Sequence, residues 1–91
     1  ELDIKTHQIG IDGEELRKLT RPEIEILKLL AQNPKREFSK EAIFTYAWQE
    51  EYMGETKTLD VHISNIRKKI KKITDKEFIQ TVWGIGYRFA D

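Results

Sequence analysis

Apolar and polar positions divide the chain into three kinds of stretch. Leu2, Ile4, Ile9 and Ile11 alternate with polar residues at period two, which predicts short strands near the N-terminus. Asp12-Gly13 between Ile11 and Leu16 is a hairpin-turn signal, and Leu16 and Leu19 continue the apolar marking, so three or four antiparallel strands are expected. Thr20-Arg21-Pro22-Glu23 then opens a helix: threonine caps it, glutamate three residues later completes a capping box, and proline is tolerated in the first turn. Ile24, Ile26, Leu27, Leu29, Leu30 and Ala31 give that helix a broad apolar face, and Asn33-Pro34 stops it. Ser39 caps a second helix, with Ile43, Tyr46 and Ala47 facing inward, Phe44 at the margin and Trp48 near its end. Residues 49–57 break the periodicity and form an acidic loop carrying Glu50, Glu51 and Glu55.

The stretch 57–72 predicts a third helix. Leu59, Ile63, Ile66 and Ile70 fall on one stripe at helical spacing. Val61, Ser64, Asn65, Lys68 and Lys72 fall on the far side, and Asp60 lies beside Arg67. Phe78–Trp83 is strand-like, Gly84-Ile85-Gly86 a turn and Tyr87–Phe89 a returning strand, which together make a β-hairpin. The order is strands, three helices, hairpin, without repeats or low-complexity tracts.

The 91 residues suit one domain spanning 1–91. With no cysteine there is no disulfide framework, thiolate metal site or cysteine nucleophile. Two histidines, His7 and His62, make a metal site unexpected, and no cofactor motif is present. No Ser/His/Asp set or phosphate loop is visible, which argues against an enzyme. No apolar run is long enough to span a membrane. The formal net charge is zero, but its distribution is uneven. Residues 1–56 hold eight basic and twelve acidic side chains, and residues 57–91 hold eight basic and four acidic. A positive end on a neutral molecule can steer a polyanion.

A helix with an apolar back and a basic outer face has two readings. It is either a solvated surface helix with lysines at its C-terminus, or a helix that lies in the major groove of DNA. A helix, a turn and a third helix followed by a hairpin is the order of a winged helix-turn-helix, an α+β fold. TLDVHISNIRKKI at 58–70 and FIQTVWGIGYRF at 78–89 closely resemble the signature of the OmpR/PhoB-type effector domain of bacterial two-component response regulators. LTRPEIEILKLLAQNP and FSKEAIFTYAW resemble the family's earlier segments, so the resemblance covers nearly the whole chain.

The resemblance implies sequence-specific binding of double-stranded DNA for transcriptional regulation in the cytoplasm, with 57–72 as recognition helix and 78–89 as wing. Lys57, Thr58, Val61, His62, Ser64, Asn65, Arg67 and Lys68 match positions that face DNA in the family. Arg67 and Lys68 are expected at phosphates, Val61 at a thymine methyl and Asn65 at an adenine. Trp48 and the wing residues Thr81, Trp83 and Tyr87 are expected near the backbone or minor groove. Glu50, Glu51 and Glu55 lie where some members touch RNA polymerase. The family also implies a receiver domain, absent here, whose phosphorylation promotes dimerisation on direct-repeat sites; the isolated domain is expected to be monomeric.

Plainer readings stand beside these. Trp83 is equally readable as a packing aromatic, Tyr87 as a hairpin packing residue, His62 as a surface histidine, and Asp60 as the ion-pair partner of Arg67 or Arg88. A winged helix used only for protein contacts is the competing function. Ser64 and Asn65 stand where the family often has arginine, as does Trp83 in the wing, so weaker affinity and a shallower salt slope are expected.

Overall fold

The computed structural model describes residues 2–5, 8–49 and 57–90, and for Lys5, Lys57 and Thr58 the backbone alone. The acidic positions Glu50, Glu51 and Glu55 lie outside the described residues. The element order is β1 (Leu2–Lys5), β2 (Gln8–Ile11), β3 (Glu14–Glu15), α1 (Arg21–Ala31), β4 (Phe38–Ser39), α2 (Lys40–Trp48), α3 (Lys57–Lys71), β5 (Ile79–Val82) and β6 (Gly86–Phe89).

The N-terminal strands form an antiparallel sheet in the order β1-β2-β3, with Leu2 opposite Ile11 and Ile4 opposite Ile9. Asp12 and Gly13 both take positive φ, 51° and 89°, the backbone twist that a tight two-residue hairpin requires. Ile9 and Ile11 point into the core, and Gln8 points to solvent. Strand alternation thus places one face of this sheet against the helices.

The capping box of α1 is formed. Glu23 N–H donates to Thr20 Oγ1 at 3.4 Å, and Thr20 N–H donates to Glu23 Oε1 at 3.2 Å. Ile26, Leu27 and Leu30 are fully buried. Ser39 Oγ caps α2 by accepting from Ala42 N–H at 3.1 Å. Ile43 and Ala47 form the seam of α2 against α1, while Tyr46 is exposed rather than inward. In a helix of nine residues an i, i+4 pair fills the contact and the residue between them falls on its rim. Gln49 closes α2 in the left-handed conformation, φ 55°.

The second sheet holds one strand more than the hairpin. Its order is β4-β6-β5: Phe38 pairs with Tyr87 and Ser39 with Gly86, so the segment leading into α2 is stitched to the returning strand. Gly86 belongs to β6 rather than to the turn. The turn is Trp83–Ile85, with Ile85 N–H donating to Val82 O and Gly84 at φ 81°. Leu59, Ile63, Ile66 and Ile70 of α3 lie in the core with Phe78, Ile79, Tyr87 and Phe89 of the hairpin. Each such side chain contributes on the order of 1.5–3 kcal/mol by leaving water.

Candidate nucleic-acid interface

The side chains of α3 sort into four rows. The floor is the apolar stripe. One flank carries His62 and Lys69, the other Asp60 and Arg67. The outer row carries Val61, Ser64, Asn65 and Lys68. Helical spacing of about 100° per residue produces this division, because i and i+7 fall on nearly the same meridian.

The His62 flank is tied to α1 through Glu23. Glu23 is buried with 1% exposure. Its Oε1 accepts from Lys69 Nζ at 2.7 Å, and its Oε2 lies 2.8 Å from His62 Nδ1. Burial alone would push this carboxyl up. The hydrogen bonds from Lys69 and His62, and from the Thr20 backbone, outweigh burial and hold it below the usual carboxylate range. An ionised acceptor places the proton on His62 Nδ1. Lys69 also donates to Lys18 O at 2.6 Å. Trp48 packs edge-on to His62, 5.3 Å between centroids, and stacks on Phe44 at 4.8 Å.

The Asp60 flank is tied to the hairpin. Tyr87 is buried, and its hydroxyl donates to Asp60 Oδ1 at 2.8 Å. Burial, together with the Asp60 carboxylate, pushes the phenol up to about 12, so the group remains a donor. Lys40 Nζ approaches Asp60 Oδ2 at 3.4 Å. Arg67 Nη2 donates to Ile79 O at 3.1 Å and Thr81 Oγ1 at 3.0 Å, and its guanidinium lies 5.6 Å from the centre of the Tyr87 ring.

These contacts give several of the nominated residues a role within the fold. Tyr87 is a core aromatic with an occupied hydroxyl. Asp60 pairs with Lys40 and Tyr87, whereas Arg88 donates to Gln80. His62 and Trp48 are half-buried and bonded inward or packed, and Arg67 and Thr81 bond each other. Sequence reading also missed Glu23 as the link between α1 and α3. The available signal was a pair of basic side chains, His62 and Lys69, seven residues apart on one flank.

The outer row is different. Val61 is 57% exposed, Ser64 and Lys68 are exposed and Asn65 is half-buried. Among the described residues no hydrogen bond or ion pair engages the side chains of Ser64, Asn65 or Lys68. Trp83, 89% exposed at the hairpin tip, and Ile85 stand clear of the core, so Trp83 is not a packing aromatic. Between the C-terminal half of α3 and β5 runs a groove of about 710 Å³ whose cations are Arg67, Lys71, Lys76 and Arg88. Lys71 extends the basic surface and was not nominated from sequence. Among the described residues no cluster of three His, Asp or Glu could hold a metal ion, and no helix is long and apolar enough to cross a membrane.

Known proteins resemble this chain in sequence and in fold. The uncharacterized transcriptional regulatory protein YclJ of Bacillus subtilis is 41% identical over 87 residues, covering 96% of this chain and 38% of that protein. The transcriptional regulatory protein SrrA of Staphylococcus aureus is 35% identical over 91 residues, covering 98% of this chain and 37% of its own. The chain therefore spans under two-fifths of these regulators. Among solved structures, the DNA-binding domain of the response regulator AdeR, in complex with an intercistronic region, superposes with TM-score 0.82 at 26% identity, covering 99% of this chain and 94% of that one. The Klebsiella pneumoniae RstA DNA-binding domain, in complex with the RstA box, gives 0.75 at 30% identity, covering 91% and 82%. The family described as transcriptional regulatory protein, C terminal, matches residues 13–89. The chain belongs to that family, the OmpR/PhoB-type winged-helix domain of transcriptional regulators.

Proposed function

We propose that this domain is the output module of a two-component response regulator and binds double-stranded DNA sequence-specifically, with α3 in the major groove and the β5–β6 hairpin as wing. The observation that carries the reading is the outer row of α3. A valine, a serine, an asparagine and a lysine project from a rigid helix, lie on one face and have no bonding role among the described residues. Val61 suits a thymine methyl, Asn65 an adenine edge, Ser64 either a base or a phosphate, and Lys68 a phosphate. Lys57 and Thr58 begin the same helix and are matched to DNA-facing positions by the family resemblance alone. At the wing, Trp83 is the contact. Tyr87, Thr81, Arg67, His62 and Trp48 support the interface from within.

The receiver domain, the dimer on direct-repeat DNA and the cytoplasmic setting extend this reading to the longer protein. So does the RNA polymerase contact at Glu50, Glu51 and Glu55 of the 49–57 loop. These rest on the family resemblance and on the bacterial regulators this chain matches.

Selection of bound duplexes from a random pool tests the proposal and yields the half-site. On the selected site, Asn65→Ala is expected to relax preference at one base pair by about 1–3 kcal/mol. Lys68→Ala should instead weaken all sequences alike and lower the salt slope by about 0.9. Anisotropy titrations should give a parent slope well under the value of about 10 seen for a heavily basic binder such as lac repressor. A chain that shifts no duplex at low salt is a protein-contact module instead.

A further inference from the structure

Asp60 and Arg67 sit seven residues apart on one flank of α3, about 10 Å along the axis, and each reaches a different strand of the wing. Asp60 receives the Tyr87 hydroxyl from β6. Arg67 reaches β5 at two points, Ile79 O and Thr81 Oγ1. The first of these acceptors has a structural reason to be there. Phe78 O is taken by Ala90 N–H across the hairpin. Successive carbonyls of a strand point to opposite sides, so Ile79 O points off the outer edge of β5, which is the free edge of the β4-β6-β5 sheet. Arg67 caps that edge. Moving its guanidinium out to a phosphate would break two hydrogen bonds and leave an edge carbonyl without its donor.

We infer that Asp60 and Arg67 are positioning residues that strap the wing to α3, so that Arg67 acts on DNA through the placement of Trp83 and not as a phosphate ligand. The strap sets the height and tilt of the hairpin relative to the recognition helix. The distance between the Trp83 contact and the bases read by Val61 and Asn65 is therefore fixed before DNA arrives. Preorganisation of this kind lowers the ordering cost of binding. The inference rests on the DNA-binding reading above.

A double-mutant cycle on the selected duplex tests it, using Arg67→Gln, Trp83→Ala and the double variant, each measured for affinity, salt slope and melting temperature. In the parent, Trp83→Ala is expected to weaken binding about tenfold. In the Arg67→Gln background the same change should cost about twofold or less, because the wing is already misplaced. The salt slope of Arg67→Gln should equal the parent's. Thr81→Val removes one acceptor from the wing side and should couple to Trp83 in the same direction; it carries the cycle if Arg67→Gln fails to fold. A purely structural role would lower the melting temperature and leave the two effects multiplicative.

Besides multiplicative effects with an unchanged slope, which make Arg67 a purely structural residue, two results overturn the inference while DNA binding by α3 stands. One is multiplicative effects with a slope reduced by about 0.9, which makes Arg67 a phosphate ligand. The other is a silent Trp83→Ala in the parent, which removes the wing from the interface. A parent that binds no duplex overturns the functional reading and the inference together.

Discussion

Replacing Gly86 with alanine is expected to destabilise the domain by about 3 kcal/mol or more, read as a loss of denaturation midpoint with little change in m-value. The reason is space. A methyl group at Gly86 would run into the Phe38 carbonyl oxygen and lie 2.9 Å from Lys40 N and 3.0 Å from Ser39 C. All three are backbone atoms of the β4–α2 junction, and none can rotate away as a side chain could. Ser39 pairs with Gly86, Lys40 N–H donates to Ile85 O, and Ser39 also caps α2. Yielding at that point would loosen the sheet and the helix cap together. A domain of this size has a total stability of roughly 5–14 kcal/mol, so the loss is a large fraction. Gly84 supplies the contrast. Nothing lies within 4 Å of a methyl there, but its φ is +81°. Gly84→Ala should therefore cost only about 1 kcal/mol, from backbone strain alone.

The second large effect is at Glu23. Glu23→Gln preserves shape and removes the charge that His62 and Lys69 face, and should cost about 2 kcal/mol at neutral pH. The pH dependence has a definite sign. The folded carboxyl is held below its ordinary range, while the unfolded one titrates near about 4.3. Its contribution is thus fully present above the unfolded value and is lost as pH falls through the folded one. Chemical denaturation of parent and variant should give curves separated by a constant amount above pH ~5 that converge in acid. A gap independent of pH down to pH ~3 would mean that the carboxylate charge is not what Lys69 and His62 hold. Because the pair bridges α1 and α3, the variant should also bind DNA more weakly than its stability alone explains.

What the sequence made legible was local. Both helix caps depend on residues three apart, the α3 stripe on residues three and four apart, and the two hairpins on adjacent turn residues. Each of these formed, with the C-terminal turn one residue earlier than read, at 83–85, because Gly86 pairs within β6. What stayed hidden needed partners far along the chain. Glu23 is a correct capping-box residue from sequence. Its second role depends on His62 and Lys69, which lie 39 and 46 residues on. Tyr87 looked like a candidate contact because the family resemblance set it in the wing, and only its burial and its bond to Asp60, 27 residues back, show that it faces the protein. Arg67 is indistinguishable in sequence from Lys68, its outward neighbour. One residue of helical rotation separates a strap on the wing from a free cation.

The β4–β6 ladder has a consequence for how the domain comes to be made. Its two pairs join residues 38 and 39 to 87 and 86, so this closure waits until the chain has been made through Tyr87. Until Gly86 and Tyr87 leave the ribosome, the nascent α1–α2 hairpin has no strand to finish its seat and Asp60 has no phenol to receive. Long-range pairing of this kind makes assembly slow relative to an all-helical chain. The seat of α3 is therefore completed only once β6 has been made, and a product that stops short of it lacks the hydroxyl that Asp60 receives.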